Sequence, residues 1–399
     1  LTFLSRITPL YFKNITLLTA AGPTGESIRV EGERITEING LPGRMDQVID
    51  GQGGLMIPGL INAHDHLELN TFKRLKYRER YTHSRQWIEE IEARFDSDPD
   101  LMVPRRQPLA DRLLVGALKN LLSGVTTVCH HNPLHPALRR GYPLRVIRDY
   151  NFCHSLFRGE DTVASYRRTK ADHPWIIHLA EGLEAEAEAK AEFEQLDRMS
   201  LLQPNTILVH GVGLTAPQRQ SLIERGGGLI WCPGSNHFLF GQTACVQALA
   251  AAGKLALGSD SRLSGEFDLL AELKVAKQTG QLSAQALFRA VTGDAARVLR
   301  LRYGGRGEIV EGGVADLVLL PPPIPADPFA RLLELTRSQM ELVLLAGKPL
   351  VGSPRMQPVF EATKTGVAPV CLDGVELFLP RNLVNRVRKS SVQEPGLSV

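Results

Sequence analysis

Four short apolar runs in this 399-residue chain each finish on a side chain of metal-ligand or acid–base chemistry. Leu60-Ile61-Asn62-Ala63 leads into His64-Asp65-His66, and Trp175-Ile176-Ile177 leads into His178-Leu179-Ala180-Glu181. Thr206-Ile207-Leu208-Val209 leads into His210-Gly211, and Leu255-Ala256-Leu257 leads into Gly258-Ser259-Asp260. Near-continuous apolar runs of this length are the pattern of strands buried on both faces, as in parallel sheets. Reactive groups gathered at the carboxyl ends of such strands predict a parallel α/β barrel. On a strand, positions i and i+2 share a face, so His64 and His66 can aim both imidazoles at one point. Neutral imidazole is the commonest protein metal ligand, and two on one rigid element make half a site. An HxH pair alone is more often incidental; the other three run ends give it weight.

Strand-like and helix-like stretches alternate through the middle of the chain, which argues for a parallel sheet. Helices are predicted at 87–95, 110–123, 185–199, 216–225 and 268–278, and strands at 60–64, 125–128, 144–152, 175–179, 206–209, 229–232 and 255–257. That makes seven strands; the interval from Phe152 to Trp175 is too short to hold a further βα unit comfortably. The two ends read differently. Residues 11–18 and 27–32 are short strands between Gly-containing turns, 312–320 is another, and 342–351 reads as a hairpin. The expected organisation is therefore a barrel over residues 56–304 and a composite β-sandwich from residues 1–55 plus 305–399. Residues 389–399 read as a disordered tail.

A net charge of +3, with basic residues scattered, argues against a nucleic-acid partner. No apolar run approaches the ~20 residues of a membrane span, and Arg6 and Lys13 interrupt any leader-like apolar stretch. Five cysteines without a CxxC pair fit reduced thiols in a cytoplasmic protein better than a disulfide frame or a cysteine zinc site.

The motifs taken in order resemble the amidohydrolase superfamily, in its branch of heterocycle deaminases and triazine chlorohydrolases, which includes the cytosine deaminase type. They are PGLINAHDH at 58–66, GVTTV at 124–128, HLAE at 178–181, VHG at 209–211, CPGSN at 232–236, LGSDS at 257–261, ALFRAVTGDAARVL at 286–299 and GRGEIVEGGVADLVLL at 305–320. The resemblance covers nearly the whole chain and implies a (β/α)8 TIM-like barrel with a small β-sandwich from both chain ends. It further implies that His64, His66, His178 and Asp260 ligate one divalent metal, zinc first and iron(II) second. Asp260 would also act as general base toward the attacking water, Glu181 would protonate the ring nitrogen beside the attacked carbon, and His210 would hydrogen-bond the developing oxyanion. Outside the pattern, His210 would read as a satisfied core histidine and Glu181 as a charge favoured by a helix dipole. Binuclear relatives carry a bridging lysine at a middle strand end; no run between 144 and 158 ends in lysine, which favours one metal.

The residues following His66 depart from the substrate-loop wording of the well-characterised deaminases, so the resemblance does not carry a substrate. Weaker candidates are His130, His131 and Asn132 after a strand end, His83 and Trp87 on a lid, with helix packing the expected role of Trp87, and Asn236 and His237 in a turn where Asn236 fixes the loop. Cys129 and Cys232 read as small buried apolar residues. The leading expectation is a hydrolase that deaminates a small-molecule nitrogen heterocycle, with homo-oligomerisation left open. The alternatives are cyclic-amide or C–Cl hydrolysis at the same mononuclear site, and a non-catalytic hydrolase-like binding protein.

Overall fold

The computed structural model describes residues 8–301 and 304–399; Arg6, used above against a leader, lies outside them. The strands with catalytic-type ends are buried along their whole length and pair in parallel. Leu60–Asp65 pairs with Val125–His130, which pairs with Arg145–Val146. Asn151–Cys153, Trp175–Leu179, Thr206–His210, Gly228–Trp231 and Leu255–Leu257 follow one another in a second parallel set. Where the last strand of this set meets the first of the other, Asp260 N–H donates to the His64 carbonyl at 3.0 Å. Gly258 makes that approach practicable: a Cβ on it would lie 2.6 Å from His64 Cβ.

The predicted strand at 144–152 is broken in two. Its first half pairs with one neighbour and its second half with the other, and only four residues separate Arg145–Val146 from Asn151–Cys153. A parallel crossover needs about a dozen residues, so no helix fits between them. The other predicted barrel strands and helices lie within a residue or two of their expected bounds, apart from the helix expected at 87–95, which runs earlier as Ser84–Glu92; shorter helices such as Pro99–Arg106, Thr162–Arg167 and Pro233–Phe240 have no counterpart among the predicted elements.

The chain ends meet in one eleven-stranded sheet. The reason is Gln47–Pro58, twelve residues long, which pairs in parallel with Leu10–Thr19 on one side and antiparallel with Leu317–Leu320 on the other. It then enters the first barrel strand through Gly59 alone. One face of the sheet, including Leu55, Ile57 and Val318, joins the core built by the helix Leu109–Leu122.

The expected disordered tail is corrected. Arg381–Lys389 is a helix, Leu397–Ser398 adds a strand beside Val367–Leu372, and Glu394 is buried. The Glu394 carboxylate receives both Arg262 guanidinium nitrogens at 2.9 and 2.6 Å, and Arg337 as well. A polar segment orders here because its one acid meets two buried cations brought from elsewhere in the chain.

Candidate active site

Three strands end in a reversal that ordinary L-residues rarely adopt. Ala180, His210 and Asp260 have φ of 50, 71 and 52°, in the left-handed region. Such strain persists only where the surroundings impose it. At Ala180 the N–H donates to the buried Glu192 carboxylate at 2.6 Å, and the turn presents Glu181 to the same cleft as His178. The first strand ends at Asp65, so His66 opens a short 3-10 turn rather than continuing the strand. Its ring nevertheless stays 4.9 Å from that of His64, edge to face.

His64, His66 and His178 place one nitrogen each within 4.8 Å of the others. His178 Nε2 is 3.2 Å from His64 Nε2, and Asp260 Oδ1 lies 3.9 Å from His64 Nε2 and 3.8 Å from His66 Nε2. A tetrahedral cation with bonds of 2.0–2.1 Å separates its donors by roughly 3.3 Å, so the three imidazoles could hold one ion, with Asp260 Oδ1 beside two of them. The outer partners agree. His178 Nδ1–H donates to the His154 carbonyl at 2.8 Å and His66 Nδ1–H to Asn132 Oδ1 at 3.2 Å. Each bond fixes the tautomer that leaves Nε2 as a lone pair.

Electrostatics favour the ligating forms. Burial, then the surrounding imidazoles, hold His64 and His178 well below the ordinary histidine value, so both are neutral. Burial alone would push Asp260 up, but His66, His210, the Ser261 N–H at 2.7 Å and the Ser264 hydroxyl at 2.9 Å together bring it below its ordinary value. Glu181 goes the other way: burial raises it, with Asp260 adding to the effect and His210 opposing. Two buried carboxyls in one cleft are thus pushed apart, one toward the base form and the other toward the acid.

His210 Nε2 lies 3.5 Å from Glu181 Oε1, and its Nδ1–H donates to Asn236 Oδ1 at 2.9 Å. Asn236, expected to fix a loop, therefore also orients His210. The cleft holds about 220 Å³ and is walled by Leu69, Trp87, Ile91, Phe95 and Leu263, with His154 and Arg158 also on its lining. Trp87 accordingly faces the cleft instead of serving only as helix packing, while its Nε1 donates to the Leu75 carbonyl at 2.9 Å. His83 caps the helix Ser84–Glu92 and sits 3.5 Å from Glu192. His130 and His131 are buried at the strand end, with the His131 ring 4.3 Å from that of His178; His237 is exposed. Cys129 and Cys232 are buried free thiols, as expected. Sequence reasoning missed Ser264, which donates to the Asp260 carboxylate, and Lys119, which donates to the Asp260 carbonyl and to Asp65.

The profile of the Amidohydrolase family matches residues 164–374. A 5-methylthioadenosine/S-adenosylhomocysteine deaminase of Archaeoglobus fulgidus is 25% identical over 367 residues, covering 78% of this chain and 84% of that protein. A 5'-deoxyadenosine deaminase of Methanothermobacter thermautotrophicus is 26% identical over 361 residues, covering 76% and 82%. In fold, the chain is similar to an adenosine deaminase from Xanthomonas campestris with bound zinc (TM-score 0.67, 19% identity, 95% of this chain and 98% of that one). It is also similar to the zinc complex of an atrazine chlorohydrolase from Arthrobacter aurescens (TM-score 0.69, 17% identity, 89% and 99%). The chain belongs to the amidohydrolase family and is a hydrolase of carbon–nitrogen bonds other than peptide bonds.

Proposed function

We propose that this protein deaminates a nucleoside-like aminated heterocycle, with adenine nucleosides altered at the 5' position as the first substrates to try. The observation that carries the reading is Glu181, a buried carboxyl pushed up by burial, three residues beyond His178 and 3.5 Å from His210. Cleavage of an amidine C–N bond needs a proton donor at the ring nitrogen, and a carboxyl whose protonated form is favoured by burial supplies one. The names of the two relatives point to the same chemistry and suggest the substrate class.

His64, His66, His178 and Asp260 would hold one divalent cation, zinc ahead of iron(II). When bound, that cation supplies Lewis acidity, which brings the pKa of water to near 7. The protein's own groups do the rest. Asp260, ionised and held by Ser261 and Ser264, takes a proton from the attacking water as its oxygen bonds to the amidine carbon. Glu181 gives its proton to the adjacent ring nitrogen, and His210, fixed by Asn236, faces the oxygen that gains charge. The proton held by Asp260 passes to the amino nitrogen, the C–N bond breaks and ammonia leaves; the electrons of the added hydroxyl oxygen form the ring carbonyl, its proton returns to the Glu181 carboxylate, and the adjacent ring nitrogen keeps the proton it received. Trp87 and Phe95 offer flat apolar surface to a planar ring and limit water in the cleft.

We further infer that residues 56–304 form the catalytic unit and that the sheet from residues 1–55 and 305–399 supports it. Five free cysteines support a reducing, cytoplasmic setting, and among the described residues no helix is long and apolar enough to cross a membrane. The test is ammonia release by the zinc-supplemented protein on 5'-deoxyadenosine, 5-methylthioadenosine, S-adenosylhomocysteine, adenosine, cytosine and an aminotriazine. Ammonia in stoichiometric yield with a hydroxylated ring product supports the reading. A changed ring product without ammonia overturns deamination in favour of ring-amide or C–Cl hydrolysis.

A further inference from the structure

Behind the candidate metal ligands lies a charged pair with no access to water. Lys119, on the helix Leu109–Leu122, and Asp65, between the two histidines of the first strand, are both fully buried. All three ammonium protons have acceptors: Asp260 carbonyl oxygen at 2.6 Å, Asn70 Oδ1 at 2.8 Å and Asp65 Oδ2 at 3.3 Å. Asp65 in turn receives Asn70 Nδ2 and Asn120 Nδ2, each at 2.8 Å. Asn62 closes the network, donating to Asn120 Oδ1 and Ser259 Oγ, both at 2.8 Å, and accepting from Ser259 N–H at 3.0 Å.

A buried ion pair is a poor device for stability alone, because apolar residues of similar volume commonly do as well or better. What distinguishes this one is where its shortest bond goes. The acceptor is the main-chain carbonyl of Asp260, a non-glycine residue at φ 52° whose carboxylate faces two imidazoles. The Asp65 carboxylate is turned to Lys119, Asn70 and Asn120, while His66 lines the cleft. One ammonium thus ties the first barrel strand, with two candidate ligands, to the turn after the last, with a third.

We propose that Lys119 is a positioning residue for the metal site, fixing Asp260 against His64 and His66 through the Asp260 carbonyl and the Asp65 carboxylate. The proposal rests on the reading that His64, His66, His178 and Asp260 bind one metal. Outer partners of metal ligands of this kind change affinity by about 10- to 100-fold when removed.

The test compares four full-length proteins: wild type, Lys119→Met, Asp65→Asn/Lys119→Met and His178→Ala. Zinc affinity is read by competition with a chromophoric chelator, alongside kcat, KM and thermal midpoint. Lys119→Met leaves a lone buried carboxylate and folds poorly or not at all; the double variant leaves no lone charge and carries the test. We expect the double variant to fold, to bind zinc about 10- to 100-fold more weakly, and to lose kcat in step while KM stays near that of wild type. Wild-type zinc affinity and kcat in the double variant, with zinc binding lost in His178→Ala, overturn the positioning role and leave the metal reading intact. Undiminished zinc binding by His178→Ala overturns the metal reading itself, and this proposal with it.

Discussion

Asn236→Leu isolates the orientation of His210 from metal binding. Asn236 is fully buried, and its side chain makes two bonds, accepting from His210 Nδ1–H at 2.9 Å and donating to Thr243 Oγ1 at 3.0 Å. Leucine is of similar size and removes both. Thr243 keeps the Trp231 Nε1–H donor at 2.6 Å, so its hydroxyl stays satisfied. The His210 Nδ1–H is left without its acceptor, at a cost of about 1–3 kcal/mol for an orphaned buried donor. The imidazole can lower that cost by rotating, which takes Nε2 from the place it holds beside Glu181 and the cleft. If the whole cost falls on the transition state, kcat drops by about 5- to 150-fold. Asn236 touches none of the four candidate ligands, so zinc per chain stays at the wild-type value. The assay is ammonia release at saturating substrate, paired with metal analysis of the same preparation. Unchanged kcat would refute the claim that Asn236 orients a working His210, and loss of zinc would show that the residue acts on the metal site instead.

Three other outcomes are expected. Glu181→Gln keeps its zinc but loses ammonia release by about 10²- to 10⁴-fold, the usual span for a general acid; loss of metal with activity retained would contradict its role as proton donor. Gly258→Ala lowers the thermal midpoint and weakens zinc binding, because its methyl would sit 2.6 Å from His64 Cβ; a stable variant with full zinc affinity would show that this contact is slack. Glu272, wholly buried and receiving the Gly234 N–H at 2.6 Å, is pushed up from 4.5 to about 8 by burial. A carboxyl raised in the folded state is protonated in both states below about pH 4.5, and the stability this gives is lost as pH rises through about 8. Glu272→Gln removes that loss, so its thermal midpoint relative to wild type should climb between pH 5 and 9; parallel curves across that range would rule the effect out.

The parts of the molecule legible in the sequence are those set by local pattern. Trp175–Leu179 and Leu255–Leu257 agree with the sequence reading to the residue because both faces of these strands are buried and each strand passes into a buried turn that carries polar side chains. The candidate metal ligands lie at or just past the ends of such runs, and their choice among the polar run ends rests on the family resemblance. Contacts between distant segments left no local mark. Lys119 stands in a helix where a lysine ordinarily reads as solvated, and its burial depends on Asp65 and on the Asp260 carbonyl, 141 residues away. Glu394 sits in a polar, Pro- and Gly-containing segment that reads as tail, and only Arg262 and Arg337 give it a place. The broken strand Arg145–Val146 and Asn151–Cys153 reads as continuous in the sequence because its apolar residues run on, although its hydrogen bonds pass from one neighbour to the other.

X-ray absorption at the zinc edge on the zinc-loaded protein tests the central claim most directly. The account predicts one zinc per chain with three nitrogen donors and oxygen at about 2.0–2.2 Å, and loss of that signal in His178→Ala. Sulfur in the inner shell, a second metal nearby, or an unaltered spectrum from His178→Ala would contradict it.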